Sequence, residues 1–234
     1  MRSAGLDLVK WVAIVTMVAD HLRFLWPRAE GLFILGRLAF PLFCLAIAVN
    51  VGRRHGGALS TGGNLRYLGA MLAFSVMSEW PYRWLDSGSQ TFNVMPTLAL
   101  GLLVAWGVQQ HQVAVRVLGL VALVAAALFS DRLMYGLAGV LLPVACLMAR
   151  RLGALAWLLP CLLPCLLAMA GNLTNNWLRQ HPLAPFTLLT LAAAAMAVPF
   201  GCLLLRRDDW RVPAVGRWGY LFYPVHLLVI KALI

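Results

Sequence analysis

Leu6-Asp7-Leu8-Val9-Lys10-Trp11-Val12-Ala13-Ile14-Val15-Thr16-Met17-Val18-Ala19-Asp20-His21-Leu22-Arg23-Phe24-Leu25-Trp26 is the stretch on which the reading of the whole chain turns. It is apolar for long enough to cross a hydrocarbon core about 30 Å thick. It is too long for the apolar region of a cleaved signal peptide, carries Lys10, Asp20 and His21 inside it, and has no small-residue cleavage site. The expectation is a retained first membrane span with an Asp-His pair that anchoring alone does not require.

The rest of the chain repeats the pattern. Of 234 residues, 62% are hydrophobic and 12% charged, about half the charged fraction of a soluble domain, whose surface must be wetted. Apolar runs fall at roughly 6–26, 34–52, 65–85, 94–109, 113–129, 134–149, 154–170, 183–205 and 217–234. Each must satisfy its own backbone in lipid, which makes the spans helices. The alternating strands of a membrane β-barrel are absent. The fold expected is an all-α integral membrane protein, a polytopic bundle of about nine transmembrane helices forming a single domain over 1–234. Several runs are short, which leaves eight or ten spans open. Pro41, Pro160, Pro164, Pro199 and Pro224 lie inside runs, where neighbouring helices can re-satisfy the freed carbonyls.

Charge placement orients the bundle. The formal net charge is +11, but the basic residues sit between apolar runs rather than along one face, which favours lipid headgroups over nucleic acid. The even connections hold Arg53, Arg54, Arg66, Arg116, Arg150, Arg151, Arg206, Arg207, Arg211 and Arg217; the odd ones hold Arg28, Arg37, Arg83, Arg132 and Arg179. Positive-inside bias then puts the N-terminus and the even connections in the cytoplasm. Asp20, His21, Arg37, Glu79 and Asp131 are left near the outer ends of their spans. Cys44, Cys146, Cys161, Cys165 and Cys202 all fall within apolar runs, with no nearby ligand set, so neither a metal site nor disulfides are expected.

Three intramembrane groups stand out chemically. The Asp20-His21 pair offers an imidazole with an ordinary pKa near 6.5 that can act as a general base, beside a carboxylate able to orient it. Asp20 could instead pair with Arg37 or Arg23. His226, about midway along the last span, needs a partner, and packing or chemistry serves equally well as its reason. Glu79, in Ser78-Glu79-Trp80-Pro81-Tyr82, is as readily an ion-pair partner of Arg37 or Arg83 as an acid or base. Lys10 can snorkel or hold a phosphate. A Gly-rich phosphate loop, GxSxG and HExxH are all absent. The residues by themselves reach a membrane enzyme or transporter with an outward-facing polar pocket.

The order of motifs resembles the TraX family. The matching stretches are Leu6-Asp7-Leu8-Val9-Lys10-Trp11 leading to Asp20-His21, Gly36-Arg37-Leu38-Ala39-Phe40-Pro41, Asn64-Leu65-Arg66-Tyr67-Leu68, and Ser78-Glu79-Trp80-Pro81-Tyr82. They continue in Asn93-Val94-Met95-Pro96-Thr97, Tyr135-Gly136-Leu137-Ala138-Gly139 and Tyr223-Pro224-Val225-His226-Leu227, with Pro96 standing where the family often has a bulky apolar residue. The resemblance implies an acetyltransferase of the bacterial inner membrane, carrying acetyl from cytoplasmic acetyl-CoA to the N-terminal amine of a pilin at the outer face. More remotely, the family is similar to multispan membrane acyltransferases that use a histidine in an early span. On that basis His21 is the base and Asp20 and Arg37 its support, and Glu79 and His226 stand beside them as further candidate catalytic residues. Lys10, Arg53, Arg54 and Arg66 are then candidates for the acetyl-CoA phosphates. An acyltransferase acting on a sugar or lipid, and a non-enzymatic transporter or pilus-assembly factor, are the competing readings.

Overall fold

The computed structural model describes residues 3–53, 62–151, 158–207, 209–210, 212–216 and 218–234, with the side chains of residues 62 and 158–161 left aside. Among these residues there is no strand. The helices are α1 (Ala4–Leu22), α2 (Glu30–Gly36), α3 (Ala39–Arg53), α4 (Gly62–Leu85), α5 (Val94–Gln109), α6 (Val113–Leu128), α7 (Gly136–Arg151), α8 (Leu158–Asn172), α9 (Asn176–Gln180), α10 (Pro185–Leu204) and α11 (Trp218–Ala232). A 3₁₀ turn, Ser130–Arg132, precedes α7.

Helix starts follow local chemistry. Ser3 caps α1 by accepting the Leu6 N–H at 3.4 Å, and Asn93 caps α5 by accepting that of Met95 at 2.9 Å. Asn175 caps α9, and Pro185 opens α10, where its missing N–H costs nothing.

The run expected as one span over 34–52 is broken. It divides into α2 and α3 at Arg37-Leu38, because Pro41 has no N–H to return to the Arg37 carbonyl. The break turns the Arg37 side chain toward α1. Helical backbone also accommodates Pro81 in α4 and Pro143 in α7, beyond the prolines picked out from the sequence.

α3 is the centre of the bundle, packing on α1, α5, α7 and α10. Its Leu42, Cys44, Leu45 and Ala48 are fully buried. α11 closes against α4 and α1. Glu30–Arg53 and Pro185–Leu204 are long and apolar enough to cross a membrane, while Val94–Gln109 and Val113–Leu128 are apolar but shorter. The outward faces of several helices are greasy. Val113, Val117, Leu120, Val121 and Val124 on α6 and Leu188, Leu189 and Met196 on α10 are all exposed.

Candidate functional site

The C-terminal ends of α1 and α4 meet the N-terminal ends of α3, α5 and α7 around a cleft of about 80 Å³. Asp20, His21, Arg23, Gly36, Tyr82, Asp86, Tyr135 and Tyr223 are among its lining residues. That volume suits an acyl group and little more.

His21 lines the cleft, and His226 of α11 stands behind it. His226 Nε2 and His21 Nδ1 are 2.9 Å apart, and His226 Nδ1 lies 3.0 Å from the Phe222 carbonyl one turn earlier in α11. A carbonyl only accepts, so in the neutral pair His226 Nδ1 carries the hydrogen and its Nε2 is an acceptor. His21 must then donate from Nδ1. Its Nε2 is left with a lone pair and makes no hydrogen bond to any described residue. The Phe222 ring stacks on His226 at 5.2 Å and 9°, which holds the imidazole in plane.

Asp20 is occupied elsewhere. It binds Arg37 Nη2 directly and lies 3.8 Å from Arg23. Arg37 also donates from Nε to the Phe33 carbonyl at 3.2 Å, and from Nη1 to the Tyr135 hydroxyl at 3.4 Å and Asn172 Oδ1 at 3.5 Å. Its guanidinium lies 4.1 Å over the Phe33 ring. Gly36 lets α2 come this close: a Cβ there would sit 2.7 Å from Asp20 Cγ.

Tyr135 takes a backbone conformation that a bulky side chain rarely adopts, with φ of +66°. Such strain costs on the order of 1–3 kcal/mol and persists only where the surroundings over-determine it. Here Thr97 Oγ1 donates to the Met134 carbonyl at 2.9 Å, the Leu137 N–H to Ser130 Oγ at 2.9 Å, and the ring stacks on Phe40 at 4.0 Å. Gly139 and Gly171 give the Tyr135 Cβ its room.

The structure therefore brings together Asp20, His21, Arg37 and His226. Glu79 is placed apart from the cleft lining, where its Oε2 accepts from the Asn93 backbone N–H at 3.0 Å and side chain at 2.7 Å, and its Oε1 pairs with Arg83 at 2.7 Å. It fastens the start of α5. Lys10 donates to the Val215 carbonyl at 3.3 Å and lies 3.8 Å from Asp7, in the half of α1 far from the cleft. Arg53 and Arg66 are exposed, and Arg54 lies outside the described residues. Tyr135 and Asn172 join the site without having been singled out for chemistry. The signal available was Tyr135-Gly136-Leu137-Ala138-Gly139, an aromatic locked among glycines at the mouth of a helix. No group of three or more metal-ligating side chains occurs among the described residues.

The model of the TraX family, described as TraX protein, matches residues 5–234. The chain is 29% identical over 241 residues to a protein of Dichelobacter nodosus named probable fimbrial assembly protein FimC, serogroup H1, covering 95% of this chain and 92% of that one. It is 44% identical over 48 residues to Protein TraX of Escherichia coli, a match covering 20% of this chain and 19% of that one. No solved structure matches.

Proposed function

Because the chain belongs to the TraX family, we propose that it is a membrane-embedded acetyltransferase, moving an acetyl group from acetyl-CoA to the N-terminal amine of a pilin subunit. The observation that carries this is the His226–His21 geometry, which leaves an unprotonated His21 Nε2 at a cleft of acyl size. The fimbrial-assembly name of the Dichelobacter relative supports the pilin as acceptor.

The protein is a polytopic bundle of the bacterial inner membrane, with about nine crossings formed by α1, α2 with α3, α4 to α8, α10 and α11. Exposed apolar side chains along α6, α10 and α11 support this, since apolar surface favours lipid or partner helices over water. The cleft faces outward and the N-terminus inward, as the arginine distribution favours.

In the reaction the amine nitrogen attacks the thioester carbonyl carbon. A C–N bond forms, and the carbonyl π pair moves onto oxygen. His21 Nε2 takes the proton lost by the amine, and its imidazolium is stabilised through Nδ1–H by His226. When the tetrahedral intermediate collapses, the oxygen pair re-forms the C=O bond, the C–S pair goes to sulfur, and the proton from His21 joins that sulfur so that CoA leaves as its thiol. Asp20, neutralised by Arg37 and Arg23, fixes α1 against α2 rather than taking the proton. Asp86 lines the cleft and its side chain pairs with no described residue, so it offers a hydrogen-bond acceptor to the incoming free amine. Lys10, Arg53, Arg54 and Arg66 are the groups that would hold the donor phosphates, and Lys10 lies in the half of α1 far from the cleft. Lys10 and His21 are about 16 Å apart along the helix axis at 1.5 Å per residue, a span that an extended pantetheine arm can bridge.

The test is acetyl transfer by the protein reconstituted in nanodiscs with acetyl-CoA and mature pilin, read by intact pilin mass. Wild type adds the mass of one acetyl group, and the folded H21A variant adds none. Transfer by H21A at the wild-type rate sinks the reading.

A further inference from the structure

Acyl transfer builds negative charge on the carbonyl oxygen, and a base on one side of the substrate does nothing for it. A preorganised donor is required, and the gain from one such donor is about 10²–10³ in kcat. We infer that Tyr135 is that donor, with its phenolic O–H supplying the oxyanion hole of the acyl-transfer site. This rests on the acetyltransferase reading above.

The geometry singles out Tyr135 among the three phenols of the cleft. A guanidinium has only donors, so in the 3.4 Å contact Arg37 Nη1 gives its hydrogen and the Tyr135 oxygen accepts. The tyrosine's own hydrogen is then free to point away from Arg37, and no described residue accepts it. Donation from a cation polarises the phenol and strengthens the hydrogen bond it gives in turn. Tyr82, by contrast, has its hydroxyl engaged with Ser89 at 2.5 Å and Thr91 at 3.3 Å. Tyr223 stands beside His21, ring centroids 6.4 Å apart, and receives no hydrogen bond from a cation among the described residues.

The backbone adds a second, independent observation. Tyr135 is the one non-glycine residue with positive φ among the described residues. Its strained turn is pinned from Thr97 and Ser130, and its ring is clamped on Phe40. A donor to a developing oxyanion must be held in place before the charge appears, and this is a costly way to hold a phenol unless the phenol is used. Both Tyr135 and His21 line the same small cleft, one to receive the oxyanion and the other the proton. The donation needs no net proton transfer from Tyr135: the hydrogen bond strengthens as the C=O becomes C–O⁻ and relaxes when the carbonyl re-forms.

The experiment compares wild type, Y135F, Y223F and H21A in nanodiscs. Transfer is measured to mature pilin, and the infrared band of acetyl-CoA carrying a ¹³C carbonyl is recorded in the bound state. Y135F keeps the ring, its stacking and the strained turn, so it is expected to fold. The expected result is a kcat about 10²–10³ lower in Y135F with KM for acetyl-CoA nearly unchanged, and a carbonyl band shifted back toward its frequency in water. A merely structural tyrosine would leave that band in place. Wild-type kcat and an unmoved band in Y135F, with H21A inactive, overturn the role of Tyr135 and leave the acetyltransferase reading standing. Loss of the band shift in Y223F rather than Y135F overturns it in favour of Tyr223. Absence of transfer by wild type, or full transfer by H21A, overturns the acetyltransferase reading and this inference with it.

Discussion

His21 and His226 meet nitrogen to nitrogen at 2.9 Å across 205 residues of chain. The contact fixes a tautomer. His226 is anchored to the Phe222 carbonyl and can only accept from His21, so the proton of His21 sits on Nδ1 and its reactive face is Nε2. Replacing His226 with Phe is therefore expected to preserve the fold and misdirect the base. A neutral His21 could then carry its proton on either nitrogen and rotate. The prediction is a kcat reduced by about 10–10³, smaller than the loss in H21A, since the general base remains but is no longer oriented. Steady-state transfer by purified variants checks it. Equal activity in H226F and wild type would show that the imidazole contact is packing alone.

Asp20 and Arg37 are expected to behave as a buried pair. Their side chains are 16% and 11% exposed, so removing either partner leaves a charge with little water to solvate it. D20A and R37A are each predicted to lose about 3–5 kcal/mol of stability, with the double variant losing less than the sum. Arg23 softens the loss in R37A, because it lies 3.8 Å from the same Asp20 oxygen. Thermal unfolding in detergent measures all three. Additive losses would show that the two side chains do not stabilise one another.

Glu79 is predicted to matter more to the fold than to the reaction. Its Oε2 takes two hydrogen bonds from Asn93, which in turn caps α5. E79Q keeps the shape but cannot accept at both carboxyl positions, and a hydrogen bond to a charged group is worth about 1.5–3 kcal/mol, with the lower end expected for a half-buried carboxylate. The expected outcome is a lower unfolding temperature with a proportionally smaller change in kcat. A kcat loss matching that of H21A, with stability unchanged, would return Glu79 to the chemistry.

Much of the helix layout was legible because apolar runs and polar punctuation are local signals. The runs over 94–109 and 113–129 correspond to α5 and α6 almost to the residue. The run over 34–52 did not reveal its break, since hydropathy is blind to the hydrogen bond that Pro41 cannot make. Asp20 could be seen to need a cation, but choosing between Arg23 and Arg37 required the distance between helices. His226 was visibly in want of a partner, and the pairing with His21 joins opposite ends of the chain, where no local pattern reaches. Tyr135 was hidden for another reason: its distinction lies in a positive φ, which residue type does not announce.

Gly36 carries a prediction that separates activity from stability. A methyl group there would press into the Asp20 side chain, next in sequence to the proposed base. α2 and the Asp20 side chain must shift apart to relieve the overlap. G36A is expected to cost about 1–3 kcal/mol. Its kcat should fall further than that stability loss explains, because Asp20 and His21 move together. Comparing kcat of G36A with that of a variant equally destabilised at a site far from the cleft tests this. Matching values would mean that the close approach of α2 serves packing only.

The side of the membrane on which the cleft opens can be read from two loop positions. Ser87 follows α4 at the cleft end, and His111 lies between α5 and α6 at the other; both are exposed. In a background lacking the five native cysteines, Ser87→Cys is expected to react with a membrane-impermeant maleimide in intact spheroplasts. His111→Cys is expected to react only after the membrane is opened. That outcome places His21 where a mature pilin N-terminus emerges and puts the arginine-rich connections beside cytoplasmic acetyl-CoA. The reverse labelling pattern would turn the cleft to the cytoplasm. The acceptor would then have to be acetylated before export, and transfer at the outer face would be excluded. Labelling of both positions in intact spheroplasts would contradict the membrane crossing proposed for α5.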